Sequence, residues 1–313
     1  MVSKRLFTVL SASILVVVII VALFLFSLQR GSPFTNQNPF QTVQKAILEV
    51  AGRVAGGYWI RNETTDLPEY VSAIAYSISN VGNKAADSVD ITIKNGEAVY
   101  STRTLQLLAA DSRAAYELTA TTSYDAHVVM SIQALCTDSS DSYSLSIGQA
   151  FPRYWSADST MKLFITPKES NLVRMRNEIV NYKFFLLPNW IAIRDWIGNN
   201  IEYRDDSVVH GTGEFWQFSK ETLTLGTGDC EDFAILVCSL LRAYDYSPND
   251  VYVVIGKKGE ALHAWAKVNL GVLGWYNLEP QQNGWSTLIG DFLSLSGYQA
   301  VYEFNEVYSR PVG

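Results

Sequence analysis

The 313-residue chain contains only three cysteines and three histidines, which limits the chemistry that these residues can support. The cysteines, Cys136, Cys230 and Cys238, are too few and too scattered for a disulfide framework. On one helix, Cys230 and Cys238 would lie beyond disulfide reach, whereas a bridge from Cys136 to Cys238 would have to join two separate regions. The absence of a C-x-x-C pair and of an H-E-x-x-H motif argues against zinc.

Basic residues are also in short supply, with 24 Lys and Arg against 31 Asp and Glu and a net charge of -7. No run of Lys or Arg follows the N-terminus. Binding to DNA or RNA depends on basic patches that neutralise phosphates, so we expect no nucleic acid as a partner. Hydrophobic residues make up 48% of the chain and aromatic residues 12%, which is enough to fill the cores of about two domains.

One long uncharged apolar run occupies residues 6–28, LFTVLSASILVVVIIVALFLFSL. Its length matches the thickness of a lipid bilayer, so residues 1–30 are predicted to be a transmembrane anchor. Lys4 and Arg5 precede the run and only Arg30 follows it closely, which predicts a single-pass cell-membrane protein with extracytoplasmic C-terminal domains. A cleaved signal peptide is the alternative, but it would need a shorter apolar region and a small-x-small site.

The segment 31–66 reads as a linker or stalk with a short helix, because QTVQKAILEVAGRV places apolar residues at helical spacing. From 67 to 150 the period changes to two, and Asn95-Gly96 is a strong hairpin signal. This pattern predicts a small antiparallel β-sandwich. The stretch YSISNVGNKAADSVDITIKNG also resembles the immunoglobulin-like adhesion modules of extracellular prokaryotic proteins, which implies a spacer or binding module.

The remaining residues, 151–313, mix helical and strand patterns and predict an α+β domain in which a central helix packs on an antiparallel sheet. That helix begins in TGDCEDFA, where Cys230 stands among acids. Asp229 can cap the helix, and Glu231 and Asp232 suit the positive end of its dipole. The dipole favours a Cys230 thiolate and the acids oppose it, so a catalytic thiolate would need a further cation.

The histidine that can supply this cation is His263, in ALHAWAKVNL. A hairpin that pairs Val268 with Gly274 would place His263 opposite Glu279, which could orient the imidazole as the third member of a triad. A two-residue slip would substitute Asn277. From spacing alone, a structural cysteine and a core histidine remain open alternatives.

Four motifs in this region resemble the transglutaminase-like, papain-related superfamily: WIGNNIEYRDD, EFWQFSKETLTLGTGDCEDFAILVCSLLRA, LHAWAKV and GWYNLEP. The resemblance implies a papain/transglutaminase-like catalytic domain over 151–313. Cys230 would be its nucleophile, His263 its base and acid, and Glu279 its third residue. The family usually has Asp at the last position, and Asn277 is kept as a substitute for Glu279 in the orienting role.

The resemblance also covers EFWQ, whose Trp216 and Gln217 would line the cleft or donate to an oxyanion. Some secreted relatives with a similar D-C-E-D motif depend on calcium, which makes Asp229, Glu231 and Asp232 weak calcium candidates. Consecutive helical residues point in different directions, however, and no EF-hand-like loop is present, so no cofactor is required by the sequence.

These features predict a membrane-anchored extracytoplasmic thiol acyl-transfer enzyme, a cysteine peptidase or amidase that acts on a surface protein or peptide through a thioester. A protein cross-linking transglutaminase would use an amine in place of water. A noncatalytic cell-surface module that keeps the fold and binds a peptide or protein is the alternative from another class.

Overall fold

The computed structural model describes residues 42–182, 188–280 and 297–313, and Ala46–Gly313 form one compact unit. The predicted membrane anchor at residues 6–28 lies outside the described residues, as do residues 31–41 of the predicted linker. Among the residues that the structure does describe, no helix is both long and apolar enough to cross a bilayer.

Seven strands form two antiparallel sheets that face each other. One sheet has the order β1-β2-β5 and the other β4-β3-β6-β7, and side chains from both contribute to one buried core, which is the sandwich architecture that the alternating pattern predicted. The hairpin predicted at Asn95-Gly96 joins β3 to β4, with Gly96 at a φ of 57°. The strands are β1 Leu48–Arg61, β2 Pro68–Asn80, β3 Ala86–Asn95, β4 Ala98–Leu108, β5 Ser112–Ser123, β6 Val128–Leu135 and β7 Ser140–Ile147.

The short helix predicted in the linker is wrong, because Leu48–Arg61 is the first strand of the sandwich. Leu48 and Val50 are buried while Glu49 between them is exposed, so the true period is two. Apolar residues in this stretch fit both periods, and pairing with β2 along the whole strand decides between them. The sandwich therefore begins near Ala46, about a β-strand earlier than the predicted boundary at residue 67.

The second half contains a five-stranded sheet in the order β12-β11-β10-β13-β14, and every neighbouring pair is antiparallel. Two short strands, β8 and β9, pair in parallel with each other and form a separate sheet. The elements are α1 Ser170–Tyr182, α2 Asn189–Asn200, β8 Glu202–Tyr203, α3 Asp206–Val209, α4 Ser219–Leu225, β9 Thr227–Gly228, α5 Cys230–Ala243, β10 Val251–Lys258, β11 Ala261–Asn269, β12 Trp275–Leu278, β13 Tyr298–Phe304 and β14 Ser309–Pro311, with 3-10 turns at Ser159–Phe164 and Gly271–Leu273.

Helix α5 is the central element of this half, as its broad apolar pattern predicted. It lies between the sheet and helices α1 and α2, and Phe233, Ile235 and Leu240 are among its fully buried side chains. On the sheet side, Ala264 and Ala266 are small enough to let the helix approach closely. Truncating one large core side chain of such a helix typically costs about 2–5 kcal/mol of folding free energy. This packing fixes the position of α5, and with it the position of its first residue, Cys230.

Aromatic rings join the sandwich to the second half. Trp59 at the end of β1 packs edge-on against Phe151 with ring centroids 4.9 Å apart, and Tyr124 packs against Phe218 at the same distance. The backbone N–H of Lys168 donates to Asp66 at 2.7 Å. The sandwich is therefore fixed against the segment that leads into α4 and α5.

Candidate active site

The start of α5 is shaped by two close contacts. A Cβ on Gly228 would lie 2.7 Å from the Asp232 side chain, so only glycine lets the chain pass this carboxylate. Asp232 in turn accepts hydrogen bonds from the backbone N–H of Gln217 at 2.7 Å and of Asp229 at 3.3 Å. The chain consequently enters the helix directly at Cys230, whose thiol lies at the positive end of the helix dipole.

The thiol of Cys230 is partly buried and donates to the Glu231 carboxylate at 3.3 Å. Burial raises the pKa of Cys230 well above its usual value, the negative charge of Glu231 raises it further, and a hydrogen bond from the backbone N–H of Ala264 opposes both. Within the described residues the thiol makes no hydrogen bond to His263. Burial and the Glu231 carboxylate, one of the acids that the sequence identified, therefore both favour the protonated thiol over the thiolate.

His263 and Glu279 are paired. Nε2 of His263 lies 2.9 Å from Oε1 and 3.0 Å from Oε2 of Glu279, whose side chain is only 7% exposed. Burial raises the pKa of Glu279, but hydrogen bonds from His263 and Tyr298 and the charge of His263 and Lys258 outweigh it, so the net pKa is lowered. The charged Glu279 carboxylate accepts a hydrogen bond from Nε2–H of His263. In the neutral form of the imidazole, Nδ1 is then the basic nitrogen.

The predicted strand register is wrong by two residues. Val268 pairs with Tyr276 and not with Gly274, because the connection contains a 3-10 turn at Gly271–Leu273. His263 nevertheless reaches Glu279 along the diagonal of the sheet. The amide oxygen of Asn277 accepts from Nε1 of Trp265 at 3.0 Å, so the structure places Glu279, and not Asn277, on the imidazole.

Trp216 and Gln217 differ in their surroundings. Trp216 is 2% exposed and packs between the rings of Phe164 and Phe304, which fits core packing better than the predicted cleft wall. The side-chain amide of Gln217 donates to Nε2 of His210 at 3.2 Å, and its buried Oε1 has no hydrogen-bond partner within the described residues. Its backbone N–H is occupied by Asp232 and is not available to an oxyanion.

Two overlapping groups of side chains at the start of α5 could hold a cation. Carboxylate oxygens of Asp206, Asp229 and Asp232 lie within 4.8 Å of one another, and the ligand atoms of Asp229, Cys230 and Glu231 do so as well. Oδ1 of Asp229 and Oε1 of Glu231 are buried and accept no hydrogen bond from the described residues. Buried, unpartnered carboxylate oxygens match the hard ligands that calcium prefers, so these residues fit a divalent cation.

The acids of this cluster have raised pKa values, because they are buried and lie close to one another. Burial and then the charge of Asp229 raise the pKa of Asp206 to about 6. Burial likewise raises the pKa values of Glu231 and Asp232. Asp206 was not predicted from the sequence, because it lies on α3, 23 residues before Asp229, and no spacing rule links the two positions.

Tyr203 is a second residue that the sequence did not single out. It is half exposed on β8, opposite Gly228, and its ring contacts Phe233 with centroids 6.1 Å apart. Burial raises the pKa of its hydroxyl, and the negative charge of Asp229 adds to the rise. Tyr203 therefore lies beside the start of α5.

All three cysteines are free, so the alternative bridge between Cys136 and Cys238 is wrong.

Known proteins resemble the chain in parts. No curated protein matches it. Among solved structures, LapG of Legionella pneumophila in its calcium-bound form is 18% identical over 50% of this chain and 88% of its own, with a TM-score of 0.34. A CARDB domain of Pyrococcus furiosus PF1109, solved with di-metal ions, is 10% identical over 33% of this chain and 89% of its own, with a TM-score of 0.25.

The second half carries the family signal. The model of the Transglutaminase-like superfamily matches residues 188–280, a range that contains Cys230, His263 and Glu279. The sequence predicted this resemblance for residues 151–313, and the match confirms it for the part that surrounds the thiol, the imidazole and the carboxylate.

Proposed function

We propose that this protein is a thiol-dependent acyl-transfer enzyme, a cysteine peptidase or amidase with Cys230 as nucleophile, His263 as base and acid, and Glu279 as the residue that orients the imidazole. One observation carries the proposal. Nε2 of His263 lies 2.9 Å from the buried Glu279 carboxylate, and the strand that carries His263 packs against the helix that begins with Cys230. This arrangement would bring a nucleophile, a base and an orienting acid together where α5 begins.

The chemistry follows from these positions. Nδ1 of His263 takes the thiol proton, and the thiolate attacks the carbonyl carbon of an amide. The oxyanion that forms accepts a hydrogen bond from the backbone N–H of Cys230 at the start of the helix. Nδ1–H then protonates the leaving amine, the C–N bond breaks and a thioester remains. Water, deprotonated by Nδ1, attacks the thioester to release a carboxylic acid and the free thiol.

A divalent cation fits beside this machinery. Asp229 would hold it together with Asp206 and Asp232, or with Glu231, and the buried unpartnered oxygens of Asp229 and Glu231 support this assignment. When bound, calcium would neutralise the carboxylates that oppose the thiolate, which lowers the cost of forming it.

The location of the enzyme is part of the proposal. The uncharged run at residues 6–28 would anchor it in the cell membrane, with the two following domains outside the cytoplasm. The sandwich would serve as an immunoglobulin-like spacer that is fixed to the catalytic half through Trp59 and Tyr124. The substrate would then be a surface protein or a peptide.

A panel of peptides with electrophilic C-termini tests the catalytic claim. We expect one covalent adduct per chain, located at Cys230 by peptide mass spectrometry, absent in Cys230→Ser and retained in Cys136→Ser. The preferred peptide, rebuilt as an ordinary amide, should be hydrolysed by the wild type. Equal labelling of Cys230→Ser, or no adduct with any peptide, would rule the proposal out.

The noncatalytic alternative is favoured by one observation, the hydrogen bond that keeps the resting thiol on Glu231. A binding module would retain peptides without turnover, and Cys230→Ser would bind as tightly as the wild type. A cross-linking enzyme would instead transfer the acyl group to a primary amine. Hydrolysis assays with and without added alkylamine distinguish the three outcomes.

A further inference from the structure

We propose that Tyr298 and Lys258 are positioning residues that clamp the Glu279 carboxylate against His263. The inference rests on the proposed function, because it concerns how the orienting acid of that site is held. It explains how a glutamate can serve where the related superfamily usually has an aspartate.

Three donors converge on one oxygen of Glu279. Oε1 accepts from Nε2 of His263 at 2.9 Å, from the hydroxyl of Tyr298 at 2.5 Å and from Nζ of Lys258 at 3.1 Å. Oε2 lies 3.0 Å from the same imidazole nitrogen. Hydrogen bonds to a charged acceptor are stronger than neutral ones, so each donor contributes to the placement of the carboxylate.

The clamp is built into the strand register. Lys258 and Tyr298 are direct cross-strand partners between β10 and β13, and Nζ of Lys258 lies 5.1 Å from the centre of the Tyr298 ring. Two residues earlier, Gly256 admits the backbone of Gln299, because a Cβ there would lie 2.1 Å from the Gln299 carbonyl oxygen. Close approach of β13 to β10 at this point brings the hydroxyl within reach of Glu279.

Trp265 supports the clamp by packing against two of its residues, Tyr298 and His263. Its ring packs edge-on against Tyr298, with centroids 4.9 Å apart, and lies nearly parallel to His263 at 6.1 Å. Asn277 fixes the indole through Nε1 at 3.0 Å. Asn277 therefore has a place in the site, although it does not touch the imidazole.

A glutamate needs such support. Its additional methylene adds a torsion, and an unrestrained carboxylate would sample several positions around the ring. A fixed orienting carboxylate holds one tautomer and one ring orientation, as in triads generally. Tyr298 and Lys258 both donate to Glu279, so both would act through this carboxylate and not on the substrate.

The test compares four variants of the full chain at one pH and one calcium concentration. Tyr298→Phe and Lys258→Met remove the two donors, while Tyr308→Phe and Lys257→Met are matched controls that do not contact Glu279. The rate of Cys230 alkylation by iodoacetamide should fall about tenfold or more in the first pair and stay at the wild-type value in the controls. With a peptide substrate, kcat should fall and KM should not change.

A double-mutant cycle separates positioning from folding. In a Glu279→Gln background, Tyr298→Phe should cause no further loss, since the carboxylate it positions is gone. An equal loss in both backgrounds, or wild-type alkylation by Tyr298→Phe, would overturn the proposal.

A spectroscopic readout keeps the clamp testable if Cys230 proves unreactive. The Nε2–H proton of His263, assigned by its disappearance in His263→Gln, should give a downfield NMR resonance in the wild type and in both controls. The resonance should shift or broaden in Tyr298→Phe and in Lys258→Met. An unreactive wild-type thiol would refute the enzyme alone, whereas an unchanged resonance in both donor variants would refute the clamp.

Discussion

Glu279 reaches His263 although the two residues do not lie directly opposite each other in the sheet. The register places Leu278 opposite Ala266, and the long glutamate side chain spans the remaining diagonal to the imidazole, 2.9 Å away. The length of this side chain is thus matched to the register.

The first prediction is that shortening the Glu279 side chain lowers the reactivity of Cys230, even though the negative charge is kept. Glu279→Asp cannot contact His263 and the Tyr298 hydroxyl together, so the rate of Cys230 alkylation should fall about tenfold or more. Glu303→Asp is the control, because Glu303 binds Lys267 and Arg310 on the same sheet without touching the site. Equal rates for Glu279→Asp and the wild type would show that side-chain length is irrelevant.

A second prediction concerns stability and pH. The lowered pKa of Glu279 in the folded protein means that its charged form stabilises the fold above the unfolded pKa, and that this contribution disappears as pH falls through the folded value. Glu279→Gln should therefore unfold at lower urea concentration than the wild type at pH 6, and the gap should narrow in the acid range below about pH 4. Urea unfolding across pH measures it. A gap that is constant from pH 6 to pH 3 would contradict the pairing.

A third prediction addresses the cation. Calcium binds the folded state only, so adding it should raise the melting temperature of the wild type, and EGTA should reverse the rise. Asp206→Asn relieves repulsion among buried acids, so in EGTA it should melt at or above the wild-type temperature, yet gain less from calcium. Asp250→Asn, outside the cluster, should gain as much as the wild type. If the melting temperature of the wild type does not change when calcium is added, the acidic cluster does not bind calcium.

A fourth prediction distinguishes the observed first strand from the predicted helix. Leu48 is 3% exposed and Ile47 is 44% exposed. Leu48→Ala should lower the free energy of unfolding by about 2–5 kcal/mol, while Ile47→Ala should change it by less than about 0.5 kcal/mol. Equal losses in chemical denaturation would favour the helical stalk.

Local signals predicted much of the second half. The start of α5 was recognisable because Gly228, Asp229 and the first-turn acids combine a tight entry with dipole-compatible charge. The sandwich was recognisable from its period of two and its hairpin turn. The start of β1 was misassigned because its apolar residues fit both periods, and only pairing with β2 selects one.

Contacts between residues that are distant in the sequence could not be predicted, for a different reason. Asp206 and Tyr203 approach the start of α5 beside the short pairing of β8 with β9, which no local sequence pattern predicts. Tyr298 and Lys258 meet Glu279 because four strands of one sheet end near the same point. The strand register could not be predicted, since a five-residue connection with a 3-10 turn closes a hairpin in more than one way.

The most direct test of the central claim is the dependence of Cys230 on His263. Alkylation by iodoacetamide at pH 7, followed by mass spectrometry of the Cys230 peptide, should be at least about tenfold slower in His263→Gln than in the wild type, because the imidazole supplies the base and the compensating cation. His127→Gln should react like the wild type. If Cys230 reacts equally fast in His263→Gln, the thiol and the imidazole do not work together, and the start of α5 has a structural role.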